Sequence, residues 1–162
     1  MNEIERILHH YDDVLNGDAW HGDAVWKILD GISAETAAAR PVAGAHTIWE
    51  IVSHMMFWEA VVIKRLSGLR AGLVEALNFP AMPAVTEDNW RKTLEEFRAS
   101  NQGFRRALAQ LDPKQLEQLS AGGKRTYYDE AHGILEHHVY HLGQIALLKK
   151  AAADPNVDGS SN

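Results

Sequence analysis

The sequence predicts an all-α fold, a four-helix bundle. Three observations carry that expectation. Four long segments place apolar side chains at three- and four-residue steps, no window sustains the alternation of a strand, and no internal repeat divides the chain. At 162 residues with 46% apolar content, the chain has the size of one domain with one core. We place that domain at residues 1–152 and read the last ten, "ADPNVDGSSN" (153–162), as a disordered tail.

Ile4, Ile7, Leu8, Tyr11 and Leu15 form one apolar stripe on a first helix that stops near Asn16-Gly17. Beyond "GDAWHG", Trp26, Leu29 and Ile32 suggest a short helical segment, for which extension of the first helix past a kink is one form. Thr47 and Glu50 have the form of a capping box, and Ile48, Ile51, Val52, Met55, Trp58, Val62 and Leu66 keep a helical period to Ser67-Gly68. From Leu69 to Val85 the prolines of "NFPAMPAV" predict a long loop bearing apolar side chains. Thr86 caps a third helix, along which Trp90, Leu94, Phe97, Phe104 and Leu108 follow the period while Asn101 interrupts it. After "AGGKR", Thr126 and Asp129 suggest a cap for a fourth helix running to Lys149 and Lys150, whose charges suit a helix C-terminus. The five tryptophans fall mainly at apolar helix positions and are expected in the core.

Several function classes are excluded. There is no cysteine, so disulfides, thiolate metal sites and a protein-borne thiol nucleophile are absent, and any metal must be held by nitrogen and oxygen. A formal net charge of -6 with scattered Lys and Arg argues against a phosphate-backbone binder. The opening "MNEIERILHHYDD" carries acidic residues where a signal peptide needs a basic region, and no stretch reaches the length of a bilayer span. A cytoplasmic protein without nucleic-acid or membrane partners is expected. There is no Glu followed three residues later by His, no H-E-x-x-H, no Gly-rich phosphate loop and no G-x-S-x-G.

What remains is histidine, of which there are nine. His9, His10 and His132 read as surface residues, His46 as a helix-entry residue and His21 as part of a turn. His137 and His141 differ, because residues four apart on a helix stand one above the other with Cβ atoms about 6 Å apart, so two imidazoles can reach one ion. Their helix is apolar over much of its circumference, and a buried imidazole needs a partner or a ligand. His54 sits at the shoulder of the second helix's apolar face, between Ile51 and Trp58, where it can supply a third ligand. Three imidazoles leave at least one coordination position for water or substrate, which is the form of a catalytic site. Zinc, nickel and iron all suit such a set. His138, rotated by about 100° from His137, reads as an interfacial or supporting residue. Gln144 and Glu50 are candidate orienting partners for the ligand imidazoles, each equally well explained as a solvated or capping residue. No residue stands out as a general acid or base.

"HTIWEIVSHMMFWE" (46–59) and "HHVYHLGQIALLKK" (137–150), with the form H-x-x-x-H-x-G-Q-I, resemble the second and fourth helices of the DinB/YfiT-like family of metal-binding four-helix bundles, and "AWHG" is similar to a stretch of one branch. The resemblance implies a divalent metal, zinc or alternatively nickel or iron, on His54, His137 and His141, and a homodimer. Many relatives carry arginine after the last histidine, where this chain has Leu142, which implies one charge fewer near the site. The family includes bacillithiol and mycothiol-dependent enzymes. The resemblance therefore implies a thiol S-transferase acting on a small electrophile, with the thiol drawn from solution. A metal-dependent hydrolase is the alternative within chemistry, and a non-catalytic, metal-stabilised dimeric bundle with a binding or stress-response role is the alternative outside it.

Overall fold

The first helix, α1, spans Glu3–Asn16, and the Gly17 N–H turns back to the carbonyls of Asp12 and Asp13. A Cβ at Gly17 would stand 2.7 Å from the Asp13 Cα, so this close exit requires glycine. The computed structural model describes residues 1–153. Of the expected tail, Ala153 is still helical and the rest lies outside the described residues.

The short helix expected after "GDAWHG" is present, but it is separate from α1 rather than an extension of it. The segment holds two separate short helices, α2 (Val25–Leu29) and α3 (Ala34–Ala38). Gly31, at φ 70°, reverses the chain between them, and the Ser33 hydroxyl accepts the Thr36 N–H to start α3. The second long helix, α4, runs Ile48–Leu66 from the expected capping box: Thr47 Oγ1 accepts the Glu50 N–H at 3.1 Å, and Glu50 accepts the Thr47 N–H at 2.8 Å. The long loop contains one turn of helix, α5 (Glu75–Asn78), which the prolines on its far side end. Thr86 caps α6 (Glu87–Ala109), a 3₁₀ turn follows at Pro113–Gln115, and α7 runs Tyr127–Ala153 from reciprocal bonds between Thr126 and Asp129.

The bundle consists of α1, α4, α6 and α7. α4 packs on α6 and α7, and α1 closes the ring by packing on the same two helices from the other side. α2 lies along α7, and α3 reaches α4, α6 and α7. α7 therefore meets neighbours on several sides, and its one exposed edge mixes Glu136 and Lys150 with the apolar Tyr140 and Leu147, so it has no wholly polar face. Trp49 and Trp90 are fully buried at the centre, with Nε1 donating to Thr93 Oγ1 at 3.1 Å and to the Ile32 carbonyl at 2.8 Å respectively. Trp26 and Trp58 are half-buried, whereas Trp20 projects wholly into solvent, contrary to the core expectation. Lys149 also departs from its expected role. Its ammonium donates to the Ile28 and Asp30 carbonyls at 2.7 and 2.8 Å, so it closes the C-terminus of α2 rather than that of its own helix. Among the described residues no helix is long and apolar enough to cross a membrane.

Candidate metal centre

α4 and α7 pack directly, and this brings His54 against the edge of α7 that carries His137 and His141. His54 and His141 are buried and His137 is half-buried. His54 Nε2 lies 3.0 Å from His137 Nε2, which lies 3.1 Å from His141 Nε2. One nitrogen from each of the three falls within 4.8 Å of the other two, so the cluster can hold a metal ion.

The outer nitrogens fix the tautomers of two of the rings. His54 Nδ1 donates to the Asn78 carbonyl at 2.9 Å, and His141 Nδ1 donates to Gln144 Oε1 at 2.8 Å. Each neutral ring therefore turns a bare Nε2 lone pair toward His137. A single proton on His137 Nε2 can satisfy only one of them, so one close approach is lone pair against lone pair. A cation removes that repulsion. Three nitrogens about 2.0 to 2.1 Å from a tetrahedral zinc stand roughly 3.3 to 3.4 Å apart, so the two spacings from His137 need to open by only a few tenths of an ångström.

The electrostatics agree with a cation site. Burial is the main cause that lowers all three imidazoles below their ordinary range, and for His137 the neighbouring His141, His138 and His54 add to it, bringing it down to about 3. At neutral pH the set is uncharged and ready to donate lone pairs. His137 Nδ1 is buried with no hydrogen-bond partner among the described residues. Its ring is thus the one not held by an outer bond.

Of the two expected orienting partners, Gln144 fills the role and Glu50 does not. Glu50 is taken up by the α4 cap, by Arg40 at 2.6 Å and by His46 at 3.4 Å. The Asn78 carbonyl does the work instead, from the loop between α4 and α6. Asn78 also accepts Trp58 Nε1 on its side-chain oxygen at 3.1 Å. The next residue, Phe79, lies flat between His46 and His54, at ring-centroid distances of 3.7 and 4.2 Å. No side-chain pattern announces a backbone carbonyl, so sequence reasoning had no signal for Asn78.

His138 is neither interfacial nor part of the cluster. It is wholly buried, with Nδ1 donating to the Ile134 carbonyl at 2.9 Å and Nε2 3.0 Å from Glu59 Oε1. That second contact is a close electrostatic approach rather than an aligned hydrogen bond. Glu59, also without exposure, accepts bonds from the Tyr11 hydroxyl and from Asn101 Nδ2 at 2.9 and 3.1 Å. Burial raises the Glu59 carboxyl, but His138 and the surrounding donors outweigh it and hold the group below its usual range. Burial, then Glu59, pushes the Tyr11 hydroxyl well up. The polar break at Asn101 in α6 is thereby explained: it solvates a buried carboxylate.

The other histidines stay apart from the cluster. His9 and His10 are exposed on α1 and His21 lies exposed in a turn, as expected. His132 is half-buried rather than exposed, with its ring 4.2 Å from that of Tyr128. Leu142, the residue after the last cluster histidine, is core.

No curated protein and no solved structure matches the chain. A family model does match, over residues 19–145, a span that begins after α1 and includes His54, His137, His141 and Gln144. With that span matched, and with the histidine cluster set between two helices of an all-α bundle, the chain belongs to the DinB superfamily.

Proposed function

We propose that this protein is a metal-dependent enzyme that transfers a low-molecular-weight thiol to an electrophilic small molecule. The observation that carries the reading is the convergence of His54, His137 and His141 with no fourth His, Asp or Glu of the described residues joining them. That set leaves a position for an exogenous ligand, as catalytic sites do and closed structural sites do not. Zinc is the proposed ion, with nickel or iron as alternatives. A divalent cation there supplies a Lewis acid that lowers the pKa of a thiol placed at the remaining position.

The chain's own part is to position and to exclude. Asn78 and Gln144 hold two imidazoles with Nε2 inward, and Phe79 covers the flat face of His54. The chain has no thiol of its own, so the nucleophile comes from solution. With an epoxide as electrophile, the sulfur–carbon bond forms as the carbon–oxygen bond breaks, and the proton lost from the thiol ends on the released oxygen.

The test is conjugation by the zinc-loaded protein of a panel of small thiols with an epoxide or alkylating agent. The expected result is a product with at least one thiol that disappears on chelation and in His141→Ala. Absence of metal-dependent conjugation with every thiol would favour the non-catalytic, metal-stabilised bundle.

A further inference from the structure

A cleft of about 570 Å³ runs between α4 and the first turns of α7 and ends against His137. Trp58, Val62 and Ile134 form its apolar walls, and Gly133, one helical turn before His137, forms its floor. Its far end is closed by Arg65 and Glu130, joined at 2.9 Å, with Glu130 also accepting from Ser120 Oγ at 3.1 Å and Arg65 Nε donating to the Ala71 carbonyl at 2.9 Å. Gly122 lies against that pair, where a Cβ would come within 3.0 Å of Arg65 Nε. The end wall is therefore built and internally satisfied.

Gly133 is the informative residue. Glycine inside a helix is less stable than alanine, so it persists where something needs the space or the conformation. Its backbone is ordinary helix, not the left-handed region, and a Cβ there would meet nothing beyond its own helix within 4 Å. No packing partner requires the glycine. The space that a side chain would fill is the cleft beside His137.

The charges facing the cleft distinguish its ends. Lys124 and Arg125 stand exposed at the rim, and neither forms an ion pair among the described residues. Asp129, whose carboxylate caps α7 through Thr126, keeps its charge and feels that of Arg125 without a direct ion pair, while Glu136 faces solvent near His137. Arg65 is neutralised by Glu130.

Resting on the thiol-transfer reading above, we propose that this cleft is the pocket for the second reactant, and that it takes a molecule with a flat or aliphatic body and a carboxylate. The body lies over Gly133 between Trp58 and Ile134, and the carboxylate meets Lys124 and Arg125. Gly133 sets how bulky that body can be. Trp58 ties the pocket to the cluster, since Asn78 accepts its indole N–H and the His54 N–H together.

The experiment measures binding of 3-phenylpropionate and of its neutral counterpart 3-phenylpropan-1-ol to the zinc-loaded full chain by calorimetry. Gly133→Leu and the double variant Lys124→Ala/Arg125→Ala are compared with wild type. Gly133→Leu is expected to weaken both probes by about tenfold or more, the scale of forcing bulk into occupied space. The double variant is expected to weaken only the carboxylate, by roughly two- to fivefold, as exposed ion pairs do. Gly133→Ala, which leaves most of the cleft free and favours the helix, serves as the folded control and retains both affinities within about twofold. No saturable binding to wild type, equal affinity in Gly133→Leu, or an equal effect of the double variant on acid and alcohol overturns the proposal. Zinc content is measured on the same samples. Protein that binds the probes but holds no zinc sinks the thiol-transfer reading while leaving the cleft's ligand class standing.

Discussion

His141 Nδ1 donates to Gln144 Oε1 at 2.8 Å, and that bond decides which nitrogen of His141 faces His137. Without it the ring is free to turn or change tautomer. Gln144→Ala is therefore expected to reduce zinc affinity by about 10- to 100-fold, the range for partners that orient a ligand imidazole, with the circular dichroism spectrum unchanged. Gln144→Glu keeps an acceptor and should hold most of that affinity. Competition with a chromophoric chelator measures both, and equal affinity in wild type and Gln144→Ala would remove Gln144 from the account.

The Glu59 and His138 pair is a stability element. Glu59→Ala leaves Tyr11 and Asn101 without their common buried acceptor and His138 without its neighbour, and each buried polar group so stranded costs about 1–3 kcal/mol. Tyr11→Phe removes one donor and should cost about 1–3 kcal/mol. Urea denaturation of the metal-free variants checks the order, and a Glu59→Ala change no larger than that of Tyr11→Phe would show that the carboxylate is not the hub.

Acid should weaken the metal-free fold. The native imidazoles of His54, His137 and His141 are held below their ordinary range, while unfolded histidines titrate near about 6.5. As pH falls through that value the unfolded chain takes up protons first. The contribution is complete above it and is lost progressively below, for His137 down to about 3. Thermal midpoints of metal-free protein at pH 7.5 and pH 5 should therefore fall toward acid, and fall less in His137→Gln. An unchanged midpoint would contradict the burial argument.

The long helices and the cluster were legible because both follow from helical geometry alone. Four-residue spacing put His137 and His141 on one edge, and the apolar period of α4 turned His54 inward. The rotation of His138 away from His137 was legible, but whether that edge is covered was not, because the pattern of one helix does not name its neighbours; the packing of α1, α2, α3 and α4 on α7 leaves His138 wholly buried. Glu59 drew no notice because a carboxylate beside apolar positions reads as solvated unless its partners are known, and these come from α1, α6 and α7. Glu50 offered two roles one turn from His54, and the local capping role won. Asn78 acts on His54 through its main chain, which any residue could supply.

The most direct test of the central claim is metal content. Elemental analysis of protein purified without a nickel column should find close to one divalent ion per chain in wild type, and a large loss in each of His54→Ala, His137→Ala and His141→Ala. The His132→Ala control, outside the cluster, should keep its metal. Equal metal in wild type and His141→Ala, or none in wild type after reconstitution with zinc, would contradict the account.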